Sequence, residues 1–161
     1  MDWEELLSEM QLPLYRFALQ LAGEPHGAAD LTQEAMCRAW EHRDELRDPK
    51  AARPYLFRIA ANLARDGYRR LQRKGTVRLP TNLTDTKSRP EEVASARELH
   101  SQLTQAMNEL PPRQRQVLHL RVVEELAPQQ IAEVLELSSQ LVRSNLAAAR
   151  KQLRRAFGDG N

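Results

Sequence analysis

The stretch Ala127-Pro128-Gln129-Gln130-Ile131-Ala132-Glu133-Val134-Leu135, a break at Glu136-Leu137-Ser138-Ser139, and then Gln140-Leu141-Val142-Arg143-Ser144-Asn145-Leu146 reads as a helix-turn-helix. Pro128 suits the first turn of a helix, and Ile131, Ala132, Val134 and Leu135 recur at helical spacing behind it. Upstream, Pro111-Pro112 opens another helix; downstream, the last helix runs on through Arg150, Lys151, Arg154 and Arg155. Its predicted buried face is Leu141, Val142, Leu146, Ala149 and Leu153, and its free face carries Arg and Ser. A helix of that make-up, following a turn, is suited to meet a polyanion, and DNA is the first partner it suggests.

The 161 residues suffice for one domain or two small ones. Apolar residues make up 41% and aromatics only 5%, which suits helices packed with Leu and Ala; no stretch alternates like a strand. The expected class is all-α. Net charge is only +2, so the balance of charge does not itself argue for nucleic acid. Its distribution does: Arg53, Arg58, Arg65, Arg69, Arg70, Arg73, Lys74 and Arg78 face Asp66 alone, and Arg143 to Arg155 contains no acid. Two basic stretches imply two phosphate-contacting surfaces, although either one alone is also what a solvated helix face looks like.

The first part of the chain reads as a helical bundle. One helix holds Leu6, Leu7, Met10, Leu14, Phe17, Ala18 and Leu21 and breaks at Gly23-Glu24-Pro25; Pro13 inside it suggests a separate early turn. A second carries Ala29, Leu31, Ala35, Met36, Ala39 and Trp40, with Cys37 expected as a buried, inert thiol. Glu41 to Pro54 reads as a polar loop with a short helical turn, and a long helix follows from about Pro54 to Gln72. Gly75 to Pro90 is rich in turn formers and reads as a linker, and Ser88 with Pro90 marks the next helix start. The last module then begins with a helix through Val93, Leu99, Leu103, Ala106 and Leu110.

Several classes are disfavoured. The single cysteine cannot form an internal disulfide, and His26, His42, His100 and His119 are dispersed without cysteines at zinc spacing. There is no glycine-rich phosphate loop or activated nucleophile pattern, so neither enzymatic chemistry nor a cofactor is expected. With no signal peptide and no apolar run of spanning length, the expected location is the cytoplasm, without membrane insertion.

Taken in order, Asp30-Leu31-Thr32-Gln33-Glu34-Ala35, Arg38-Ala39-Trp40, Tyr55-Leu56-Phe57-Arg58-Ile59-Ala60-Ala61-Asn62-Leu63-Ala64-Arg65-Asp66, Leu110-Pro111-Pro112-Arg113-Gln114-Arg115, Ile131-Ala132-Glu133-Val134-Leu135 and Val142-Arg143-Ser144 resemble the bacterial extracytoplasmic-function sigma factors. That resemblance implies a region 2-like domain over 1–73, a linker over 74–92 and a region 4-like helix-turn-helix domain over 93–161. It implies that the protein binds core RNA polymerase and directs it to promoters, with polymerase supplying the catalysis. Asp30, Gln33 and Glu34 would contact the clamp of the largest polymerase subunit; their i, i+3, i+4 spacing puts them on one helix face, as it would on any exposed face. Asn62, Arg65, Arg69 and Arg70 would meet the −10 element as its strands part, and a loop at about Asp48 to Arg53 would help hold an extruded base. Tyr55 would pack in the core. Gln140, Arg143, Ser144, Asn145 and Arg150 would serve the −35 element, and an anti-sigma factor is an expected partner.

Departures from the family pattern cluster in the second module. Glu136 stands where the turn usually has glycine, a place that often needs positive φ at a cost on the order of 1 kcal/mol for another residue. Gln140-Leu141 replaces a Gly-Thr pair, and Asn145 and Ala148 stand where Arg is frequent. Asn145 is able to read adenine instead. From a different class, a stand-alone helix-turn-helix regulator acting without polymerase also fits the C-terminal part, as does a sigma-like protein working chiefly through protein contacts.

Overall fold

A computed structural model describes residues 2–75 and 94–157. Seven α-helices are described: α1 (Trp3–Ala22), α2 (Pro25–Glu41), α3 (Pro49–Arg73), α4 (Ala94–Asn108), α5 (Pro112–Leu118), α6 (Pro128–Leu135) and α7 (Ser139–Ala156). A 3-10 turn, Arg43–Glu45, joins α2 to α3, and a widened π-type turn, His119–Val123, follows α5. No strand occurs among the described residues, so the all-α expectation holds. Most of the linker and the proposed helix start at Ser88 lie outside the described residues.

Helix ends are set by side chains that satisfy otherwise orphaned N–H groups. Asp2 accepts from the Glu5 N–H at 3.1 Å, Asp48 from Lys50 at 3.0 Å and Ser138 from Leu141 at 3.1 Å. Glu24 accepts from both His26 and Gly27. α1 ends at Gly23, whose φ of 79° is the left-handed conformation that glycine adopts without penalty.

Two helices depart from the sequence expectation. α1 is continuous through Pro13. An interior proline costs about 3 kcal/mol, but Met10, Leu14 and Phe17 straddle it and are all buried, and their burial favours an unbroken helix. α3 begins at Pro49 instead of near Pro54, because the Asp48 cap and Pro49 together start it five residues earlier. The stretch expected as a base-holding loop, Asp48 to Arg53, is therefore mostly the first helical turn of α3.

α1, α2 and α3 form one bundle; α5, α6 and α7 form a second. The two bundles pack on each other, α6 lying on α3 and α5 touching α1, so the buried apolar residues form one continuous cluster. Phe17 shows how: its ring meets Phe57 edge-on at 5.4 Å and stacks on His119 of the second bundle at 6.1 Å.

Candidate nucleic-acid and polymerase interface

On α2, Asp30, Gln33 and Glu34 are all exposed, while Ala28, Thr32, Ala35 and Ala39 are buried. The alanines let α2 lie close to its neighbours, and Thr32 donates to the Ala28 carbonyl at 2.7 Å. Surface pairs with His26 (3.6 Å) and Arg38 (3.2 Å) flank Asp30 and Glu34; such exposed pairs are easily exchanged for an external partner. Beside Gln33 an open apolar groove runs between α1 and α2, lined by Leu7, Leu12, Tyr15, Met36 and Trp40. Cys37 also faces this groove and is exposed, which corrects the expectation of a buried thiol: Ala35 and Ala39 point inward, and Cys37 falls on the opposite side.

On α3, Asn62 and Arg65 are partly buried, whereas Arg69 and Arg70 are exposed. Arg65 donates to Asn62 Oδ1 (3.1 Å), to the Glu136 carboxylate (2.7 Å) and to the Leu135 carbonyl (3.4 Å). The turn of the second bundle thus occupies an arginine expected to face DNA. Arg113 lies near enough for Arg65 to act on it: its pKa is lowered first by burial and then by the like charge of Arg65. Where α3 begins, Gln130, Glu133 and Val134 of α6 face Asp48, Lys50, Tyr55 and Arg58 across an open hollow. Tyr55 is half-buried at its edge, its phenol pushed up by burial and by Glu45, with Arg58 opposing.

On α7, Gln140, Arg143, Ser144 and Arg150 are exposed and Asn145 is partly so. Ser144 Oγ (3.1 Å) and Asn145 Nδ2 (2.8 Å) both donate to the Leu141 carbonyl. For Asn145 to read a base it must give up that bond, whereas Gln140, Arg143 and Arg150 have no such internal tie among the described residues. Leu141, expected on the buried face, is 49% exposed. It lies in the first turn, before the helix closes on its neighbours; Val142, Leu146 and Ala149 carry the burial. Glu136 has φ 55°, ψ 47°, the left-handed conformation anticipated at that turn.

One constellation escaped the sequence reading. The fully buried carboxylate of Glu124 receives Arg16 (3.1 Å), Arg53 (3.2 Å) and His119 Nε2 (2.7 Å). Arg53 also donates to the Glu124 carbonyl at 3.2 Å. The π-type turn makes this possible: the Glu124 N–H reaches back five residues to the His119 carbonyl, bringing those two side chains together. Burial alone would raise the Glu124 pKa, but the His119 hydrogen bond and the Arg16 guanidinium outweigh it and hold the carboxyl below its usual range. With the carboxylate ionised, His119 Nε2 carries the proton of that bond. Nothing in the spacing of Arg16, Arg53 and Glu124 along the chain signals this meeting.

Sigma-70 region 2 matches residues 6–74, and Sigma-70, region 4 matches residues 100–153. The chain is 32% identical over 156 residues to the ECF RNA polymerase sigma factor SigE of Mycolicibacterium smegmatis, covering 95% of this chain and 60% of that one. It is 30% identical over 151 residues to the ECF RNA polymerase sigma factor SigL of Mycobacterium tuberculosis, covering 92% and 85%. The chain belongs to the extracytoplasmic-function sigma factors. Members of this family are non-catalytic initiation factors that bind core RNA polymerase and direct it to promoter DNA. The sigma factor RpoE of Bartonella quintana, solved in complex with the anti-sigma factor NepR, shares the fold: TM-score 0.75 at 20% identity, covering 97% of this chain and 96% of that one. Among the described residues, no helix is long and apolar enough to cross a membrane and no group of side chains is placed to hold a metal ion.

Proposed function

We propose that this sigma factor docks on polymerase through the exposed Asp30, Gln33 and Glu34 face of α2 and the groove beside it. The observation that carries the reading is that all three side chains are exposed on one face next to an open apolar groove. A stand-alone DNA-binding regulator has no use for such a face. Domain limits of 1–73 and 93–161, joined by 74–92, follow the same division of labour. In the first domain Asn62 serves a base edge, and Arg65, Arg69 and Arg70 serve phosphates of the −10 element as it opens. In the second, Gln140, Arg143 and Ser144 face the major groove of the −35 element, with Asn145 joining once freed from Leu141 and Arg150 on the backbone. The chain works in the cytoplasm and leaves all chemistry to polymerase. An anti-sigma factor holds it silent, in keeping with the complex in which the Bartonella relative was solved.

The labels −10 and −35 set the two promoter elements about 25 base pairs apart, roughly 85 Å at about 3.4 Å per base pair. Bundles in direct contact do not reach both at once, so promoter engagement requires α6 to leave α3. The closed arrangement therefore belongs to the factor off the promoter.

In vitro transcription with purified bacterial core polymerase on host genomic fragments, read by sequencing RNA 5′ ends, tests this. Discrete starts that depend on the protein are expected. Gln33→Ala should weaken core binding, and Asn62→Ala should reduce open complexes while leaving core binding intact. An absence of both starts and core binding would sink the reading.

A further inference from the structure

Arg65 in the closed chain is surrounded as a phosphate-binding arginine would be. A carboxylate stands at 2.7 Å and a backbone carbonyl at 3.4 Å, both from one turn of the other bundle. The Asn62 amide oxygen steadies it from its own helix at 3.1 Å. We propose that the α6–α7 turn is an intramolecular stand-in for a nucleic-acid phosphate, with Glu136 holding Arg65 until a DNA strand displaces it. The inference rests on the reading of Arg65 as a DNA contact.

Three features support it. Glu136 has a left-handed backbone, φ 55°, that glycine adopts more readily, so a carboxylate at this place comes at a conformational cost. The pair sits at the rim, with Arg65 24% and Glu136 55% exposed, so an incoming phosphate exchanges for the carboxylate without crossing a dry interior. One turn further along α3, Arg69 and Arg70 are exposed and pair with no acid among the described residues. A strand therefore lands on Arg69 and Arg70 first and reaches Arg65 by displacing Glu136. Before polymerase binds, this competition lowers the affinity of the free factor for DNA.

A second glutamate supplies the control. Glu125 is also exposed and also has positive φ, 60°, but among the described residues it pairs with no DNA-facing arginine. The full chain, with Glu136→Gly, Glu125→Gly, Arg65→Ala and the Glu136→Gly/Arg65→Ala double variant, is titrated against a fluorescein-labelled single-stranded thymidine oligonucleotide by anisotropy. Glu136→Gly should tighten binding roughly two- to fivefold, the size of a surface ion pair, and Glu125→Gly should leave it unchanged. In the Arg65→Ala background, Glu136→Gly should have no effect. Equal tightening by both glycine variants, or a gain that persists without Arg65, would reduce the effect to net charge and overturn the proposal. If Arg65→Ala weakens the Glu136→Gly chain but Glu136→Gly itself matches wild type, the stand-in fails while Arg65 remains a DNA contact. If Arg65→Ala changes nothing in the Glu136→Gly chain, the DNA role of Arg65 fails and the proposal with it.

Discussion

Two carboxylates of the second bundle reach arginines of the first, and they do so in opposite surroundings. Glu124 is fully buried and gathers Arg16, Arg53 and His119; Glu136 is more than half exposed and holds Arg65 at the rim. The difference is one of consequence. A buried carboxylate stripped of partners, or partners stripped of their carboxylate, leaves desolvated charge that costs far more than the pair itself contributes. An exposed pair exchanges with water and salt at little cost. Glu124 therefore governs whether the bundles stay together, and Glu136 governs what else competes for Arg65.

Removing Glu124 should have the largest effect. Arg16 and Arg53 are 40% and 37% exposed and turn partly to solvent, but His119 is left buried. Glu124→Ala should cost about 3 kcal/mol in urea unfolding of the full chain, against about 0.5 kcal/mol for Glu136→Ala. The gap should persist in molar salt, where only the Glu136 contribution is screened away. Equal losses from the two substitutions would erase the comparison.

Acid is the next lever. The Glu124 carboxyl is held below its ordinary value in the folded chain, the His119 hydrogen bond and Arg16 outweighing burial. Its contribution is therefore fully present above the unfolded value and is lost as pH falls through the lower folded one. Solution scattering should show an unchanged radius from neutral pH down to about 5, with expansion only below the unfolded value. In Glu124→Gln that acid-dependent component should be missing. Opening between pH 7 and 5 in the wild-type chain would show that another group, not Glu124, holds the bundles.

These contacts also mark where the sequence stops being legible. Helical periodicity reports local burial, so α2, α6 and α7 could be read from Ala35, Ala39, Ile131, Val134, Val142 and Leu146, and the left-handed turn from the place of Glu136 in its motif. Pro13 misled because a local rule was overridden by Met10, Leu14 and Phe17, whose burial is a tertiary fact. Leu141 and Cys37 misled because apolar character does not tell which side of a helix has a neighbour. The Asp30, Gln33 and Glu34 face was legible as a face, whereas the groove beside it depends on how α1 and α2 splay. Glu124 was illegible because its arginines lie 108 and 71 residues away and arrive only when the bundles close.

The smallest effect distinguishes the two exposed glutamates from each other. Glu125 and Glu136 share the left-handed backbone, with φ of 60° and 55°, so glycine at either place should relieve about 1 kcal/mol of conformational strain. Only Glu136 carries an ion pair, at 2.7 Å to Arg65, and losing it returns about 0.5 kcal/mol. Glu125→Gly should therefore stabilise the chain more than Glu136→Gly, by roughly that difference, in paired urea titrations at low salt. In molar salt the ion pair is screened and the two variants should converge. Equal stabilisation at both ionic strengths would mean that Glu136 gives nothing to the closed form, leaving Glu124 as the carboxylate that holds the bundles together.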